Sequence, residues 1–120
     1  RAALESITYQ IKDVISVMEA ESNIELNKLN VDGGISANTF LMQFLTDLLG
    51  TKVVNIGIAD VSALGVAFIA GLGAGLWKDL DDLPKPMENL QVYKPSSKND
   101  LVKKSYEGWL KILNERKLAI

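Results

Sequence analysis

The sequence predicts an α/β fold built on a parallel sheet that this chain leaves incomplete. Segments with helical spacing of apolar residues alternate with short β-branched runs, in the order helix, strand, helix, strand, helix. The connections between them are about two to six residues long, as in α/β units. Only two runs read clearly as strands, and a lone parallel pair cannot be buried on both faces. A pair of glycines after the first strand marks the end of the sheet where ligands of such folds bind.

The first element is a helix, because Leu4, Ile7, Ile11, Val14, Ile15 and Met18 recur at i, i+3 and i+4. Glu5, Lys12, Asp13, Ser16 and Glu19 fall mainly off that stripe. Glu21-Ser22-Asn23 ends it, with Asn23 suited to a left-handed cap. Leu26 to Val31 reads as a strand running into Asp32-Gly33-Gly34. A second helix is expected from about Ser36, its N-cap, with Ala37, Leu41, Phe44, Leu45 and Leu48 inward and Gly50 just past its end. Thr51 to Ile58 suits a strand and a short loop, loosened by Gly57.

Asp60 or Ser62 would cap the third helix. Val61 to Trp77 is seventeen residues without a charge and contains Gly71-x-x-x-Gly75. That length is the lower limit for crossing a bilayer, and the glycine pair resembles a membrane-helix packing motif. Four glycines and several alanines dilute its insertion drive, so the expectation is a buried helix approached closely by a sheet or a neighbour. From Asp79 to Pro95 the composition shifts: Pro84, Pro86 and Pro95 break helices, and Asp79, Asp81 and Asp82 favour solvent. A surface crossover with a short extended piece at Leu90 to Tyr93 fits. Ser97 to Lys117 is a final helix with Leu101, Val102, Tyr106, Trp109, Leu110 and Leu113 inward. Three amphipathic helices on two strands describe an incomplete domain whose further strands come from elsewhere. An opening at Arg1 fits a piece of a longer protein as well as a processed chain.

Composition narrows the chemistry. The 120 residues include no Cys and no His, which removes disulfides, thiolate zinc sites, cysteine nucleophiles and the commonest general base. The net charge of −2 is too balanced for a dedicated nucleic-acid binder. Residues 1–60 carry 4 basic and 8 acidic groups, residues 61–120 carry 9 and 7. The basic excess at Lys94, Lys98, Lys103, Lys104, Lys111, Arg116 and Lys117 is interrupted by Asp100, Glu107 and Glu115, the pattern of a solvated helix face. The acidic, amphipathic first helix is unlike a signal or transit peptide.

Val31 to Asn38 is the one constellation with a mechanism. Two glycines let the backbone turn tightly and let a ligand touch main chain. The helix that follows offers free N–H groups. Asn38, four residues after Gly34, carries an amide that can both donate and accept, as the edge of a nucleobase requires. The same residues also make an ordinary strand-to-helix join, and neither reading is excluded by spacing. Asp32 could serve catalysis or a metal, though a strand-end Asp more commonly stabilises its turn. Neither G-x-G-x-x-G nor a P-loop is present.

Several runs together resemble the C-terminal domain of FGGY carbohydrate kinases. They are Arg1-Ala-Ala-Leu-Glu-Ser-Ile-Thr-Tyr-Gln10, Val31-Asp-Gly-Gly-Ile-Ser-Ala-Asn38, Phe40-Leu-Met-Gln-Phe44, Asp47-Leu-Leu-Gly-Thr51 and Val61-Ser-Ala-Leu-Gly-Val-Ala-Phe-Ile-Ala-Gly71. Within that family the glycerol kinases are the most similar branch, through Leu41-Met-Gln-Phe44 and Tyr106-Glu-Gly-Trp109. The resemblance implies a partial actin-like, ribonuclease-H-like ATPase domain: residues 1–78 as the C-terminal half of that domain, 79–96 as a crossover and 97–120 as the closing helix. It implies a cytoplasmic kinase that, with Mg²⁺, moves the ATP γ-phosphoryl group to a sugar or polyol hydroxyl. Gly34 and Asn38, with Gly33 beside them, would touch the adenosine of ATP or ADP. The catalytic carboxylate, the sugar-binding residues and the main phosphate loop would lie outside this chain, so the chain alone would be inactive. No catalytic or metal residue, nucleic-acid partner or membrane span is implied, and a homo-oligomer is left open. By that resemblance the glycerol kinases usually carry Glu where Asp60 stands, and a cap or ion-pair role is expected for Asp60. The alternative is a packing and interaction module with no ligand site of its own.

Overall fold

The computed structural model describes residues 1–58, 60–84, 90–97 and 99–117. Pro86 of the expected crossover, Lys98 of the basic tail and residues 118–120 of the expected closing helix lie outside the described residues.

Helix α1 spans Ala2–Ser22 and ends where Asn23 turns left-handed at φ 52°. It buries Thr8, Tyr9 and Ile15. Val14 and Met18, expected to face inward, are exposed, because no element among the described residues covers that flank of α1. Strand β1 is shorter than the apolar run, Lys28–Val31. Leu26 N–H instead donates to Glu19 Oε1 at 2.8 Å and ties the preceding loop to α1.

Helix α2 spans Thr39–Leu49, with its cap two residues later than expected. Its cap is Asn38, whose Oδ1 accepts from Leu41 N–H at 3.0 Å, and not Ser36. Ser36 sits inside a 3-10 turn over Gly34–Ala37, which leaves Ala37 exposed outside the α2 stripe. Gly50 closes α2 at φ 69°.

Strand β2, Lys52–Asn55, lies parallel to β1 with Leu29 opposite Val53 and Val31 opposite Asn55. The extended piece is a third strand, β3, Gln91–Tyr93, antiparallel to β2. The sheet is therefore mixed, in the order β1-β2-β3, and not purely parallel. The reason is connectivity: the chain returns along the far edge of β2 instead of crossing over the sheet again.

Helix α3, Val61–Gly73, is capped by Asp60, whose Oδ1 accepts from Ala63 N–H at 2.9 Å. It stops short of Trp77 at a Schellman motif: Leu76 N–H donates to Gly71 O and Gly75 N–H to Leu72 O, with Gly75 at φ 75°. Trp77 folds back so closely that a Cβ on Gly71 would come within 2.1 Å of its ring. The glycine pair thus terminates a helix and seats an indole; it does not mate two helices. Nor is α3 buried as expected. Val66 is 69% and Ile69 74% exposed, and Gly71 is its one buried residue. No helix among the described residues is long and apolar enough to cross a membrane.

Helix α4, Asn99–Lys117, turns Val102, Tyr106 and Trp109 inward, while Leu101 is 70% exposed and Leu110 also faces out. Leu113 is half-buried. The core has α2 at its centre. On one side Leu41, Met42, Leu45 and Val53 join α2 to the sheet and to Ile7 and Ile11 of α1. On the other, Tyr9, Phe44, Leu48 and Val102 join α1, α2 and α4, with Tyr106 and Trp109 packed against them. Asp13 of α1 accepts from Tyr106 Oη and from Trp109 Nε1, the latter at 3.1 Å. Buried Asp47 of α2 accepts from Ser96 N–H at 2.7 Å and so holds the chain between β3 and α4. The radius of gyration, 18.1 Å, exceeds the roughly 14 Å of a compact domain of this length. The elongation agrees with the exposed α3.

Candidate functional site

Because β1 and β2 are parallel, their carboxyl ends share one edge of the sheet, where α/β folds bind ligands. An open cleft of about 260 Å³ lies there, walled by the chain leaving β1 and the chain leaving β2. Gln91, paired with Asn55 across the sheet, stands at the same end.

The β1 wall is the glycine turn. Gly33 has φ 86° and ψ 171°, a conformation that L side chains strain to adopt. Gly34 is different. It has no left-handed φ, and a Cβ built on it would meet nothing within 4 Å. The fold does not require glycine at position 34; what a side chain there would occupy is open space beside the cleft.

The β2 wall is held to the turn by a buried amide. Asn55 is 5% and Ser36 4% exposed. Asn55 Nδ2 donates to Ser36 O at 2.9 Å, and its Oδ1 accepts from Gly57 N–H at 2.9 Å. Ser36 Oγ lies 2.7 Å from Gly33 O and 3.2 Å from Asn55 Oδ1, so its single proton goes to the nearer carbonyl. Ile56 N–H donates to Val31 O at 3.1 Å and carries the β1–β2 pairing one residue further.

The structure brings Gly33 and Gly34 to the cleft. It does not bring Asn38 there: its side-chain oxygen is engaged on the α2 cap. Asp32 is exposed and lines no part of the cleft. Sequence reasoning missed Ser36, Thr39, Asn55 and Gln91. The readable signal was Asn55, a polar residue closing the otherwise apolar Val53-Val54 run.

The lining is neutral. Among the described residues it consists of main chain, Ser36 and Thr39 hydroxyls, Asn55 and Gln91 amides and the Ile58 side chain, with no Lys or Arg. Such a surface suits a flat, uncharged, hydrogen-bonding group better than a phosphate, which calls for cations or amide-rich termini. No cluster of three or more His, Cys, Asp or Glu that could hold a metal occurs among the described residues. Among the described residues the largest titration shift lies elsewhere, at the α1–α4 contact. There burial first, and the hydrogen bond to Asp13 second, push the Tyr106 phenol up to about 12.

Comparison with known proteins bears on the family and the fold. The model of the FGGY family of carbohydrate kinases, C-terminal domain, matches residues 1–74. The glycerol kinase of Alkaliphilus metalliredigens is 43% identical over 95% of this chain, and that of an Enterobacter species 44% identical over 99%. The chain spans 23% and 24% of their respective lengths. Among solved structures, Plasmodium falciparum glycerol kinase with ADP superposes with a TM-score of 0.67 at 29% identity, over 96% of this chain and 23% of that one. A ligand-bound xylulose kinase from Lactobacillus acidophilus gives 0.64 at 21% identity, over 96% of this chain and 24% of that one, and shows the shared fold. The mixed α/β arrangement is a portion of the actin-like ATPase fold of these kinases. The chain belongs to the FGGY family of carbohydrate kinases, within their C-terminal domain.

Proposed function

We propose that this chain supplies the nucleoside side of the ATP site in a glycerol kinase-like enzyme that phosphorylates a sugar or polyol hydroxyl. The observation that carries the reading is the neutral cleft at the carboxyl ends of β1 and β2, walled by a glycine, Gly34, that the fold itself does not require. Adenosine is flat, uncharged and rich in hydrogen-bonding edges, and it matches that lining. The solved relative named for its ADP supports nucleotide use.

In this proposal Gly34 and Gly33 present main chain to adenosine inside the cleft, and Asn38, which does not line the cleft, meets the nucleotide at its rim through the amide NH2 that capping leaves over. The phosphates, Mg²⁺, the acceptor and the catalytic base are met by parts of the enzyme beyond these residues, so the chain alone does not turn over. Residues 1–78 act as the nucleotide-facing half-domain, with 97–120 closing it, in a cytoplasmic enzyme. Phosphoryl transfer depends on positioning and charge stabilisation, and this chain's share is positioning.

A second reading, a packing module without a ligand, is favoured by one observation: the Asn38 oxygen is spent on the α2 cap. Gly34→Val in the intact enzyme separates the two. The proposal expects the KM for ATP to rise at least tenfold, with the KM for the polyol within about twofold and thermal stability unchanged. Unchanged kinetics would favour the packing module.

A further inference from the structure

We propose that Asn55 is a positioning residue for nucleotide binding: it fixes the glycine turn that forms one wall of the cleft. This rests on the nucleoside reading of that cleft. Among the described residues the turn has little else to hold it. Gly33 and Gly34 have no side chains, while Ile35 and Ala37 are exposed. Glycine-rich backbone without packing explores many conformations. What restrains this one is a buried polar bracket spanning 19 residues of sequence: Asn55 Nδ2 on Ser36 O, with Asn55 Oδ1 on Gly57 N–H. Ser36 adds its own grip, since Gly33 O accepts from both Ser36 N–H and Ser36 Oγ.

One carboxamide therefore ties together the two turns that wall the cleft. Its orientation is unambiguous, because a carbonyl must accept and an N–H must donate. A ligand seated on a pre-ordered turn avoids the entropy cost of ordering it. Asn55 also lines the cleft, but in this proposal its effect on ATP comes through the turn.

Asn55→Asp in the intact enzyme tests this. The substitution keeps the shape and the acceptor facing Gly57, and replaces the donor facing Ser36 O with an oxygen. The expected result is a KM for ATP about tenfold higher, with the polyol KM within twofold. Burial raises a carboxyl pKa, so lowering the pH toward 5 protonates the introduced group and restores a donor. The variant's ATP KM, relative to wild type, should then recover. A rise shared by both substrates, or an ATP defect with no recovery at low pH, overturns the proposal.

Gly34→Val serves as the reference. If it raises the ATP KM and Asn55→Asp does not, the positioning role fails and the nucleoside reading stands. If neither changes the ATP KM, both fail. Should Asn55→Asp not accumulate as folded protein, Asn55→Ala decides the matter, since it removes both arms of the bracket, on Ser36 O and on Gly57 N–H, without introducing a charge. A two- to threefold rise in ATP KM alone supports the bracket, and no change overturns it.

Discussion

Helices α2 and α3 are neighbours in sequence and opposites in environment. Helix α2 carries Gln43, Thr46 and Asp47, yet seven of its eleven residues are buried. Helix α3 has no charged residue, and only Gly71 of its thirteen is buried. Apolar composition raises the gain from burial, about 25 cal/mol per Å², but a partner surface must exist for the gain to be realised. In this chain α2 has the sheet on one side and α1 and α4 on the other. Helix α3 has its own tail, with Trp77 set edge-on against Phe68 at 5.8 Å.

The largest effect is expected from the α2 core. Leu45→Ala, at a position 1% exposed, is expected to cost about 3 kcal/mol in urea unfolding of the chain. The caps give the next contrast. Asn38 and Asp60 make equivalent hydrogen bonds, to Leu41 and Ala63 N–H respectively. Asn38→Ala should lower global stability by about 1 kcal/mol and, in the intact enzyme, raise the KM for ATP more than that for the polyol. Asp60→Ala should fray only α3, seen as faster amide exchange there with the urea midpoint little changed. An equal midpoint shift from both would show that α3 unfolds together with the α2 core.

The α1–α4 contact sharpens the same point through pH. Because the folded state raises the Tyr106 phenol from about 10 to about 12, it holds that proton more tightly than the unfolded chain does. The stability this contributes is complete below pH 10 and is lost as the pH rises from 10 to 12. Tyr9 is raised as well, by burial first and then by Glu5, and acts in the same direction. Tyr106→Phe should cost about 1 kcal/mol at pH 7 and flatten the alkaline fall of the urea midpoint. An unchanged slope would show that the Tyr106–Asp13 bond contributes nothing to that fall. The smallest effect belongs to α3: Ile69→Ser should change stability by less than about 0.5 kcal/mol. A loss approaching that of Leu45→Ala would erase the distinction between the two helices.

Local chemistry was legible in the sequence. Asn23, Gly50 and Asp60 sit at helix ends as their residue types require, because caps and left-handed turns depend on a few adjacent atoms. The element order and the glycine turn were legible for the same reason, and the family resemblance followed from runs of residues kept in order. Choices between near-equal local options were not legible. Ser36 and Asn38 can each cap a helix, and Ser36 was drawn instead into the bracket with Asn55, nineteen residues away. Asp13 looked like a solvated position until α4 laid Tyr106 and Trp109 against it.

Periodicity established which residues favour burial, and the order of segments established an α/β chain with a turn fit for a ligand. Whether each apolar face found a partner, whether the third strand ran parallel or antiparallel, and which amide held the glycine turn depended on surfaces far apart in sequence. A hydrophobic pattern specifies the preference of one surface, while burial is a property of two.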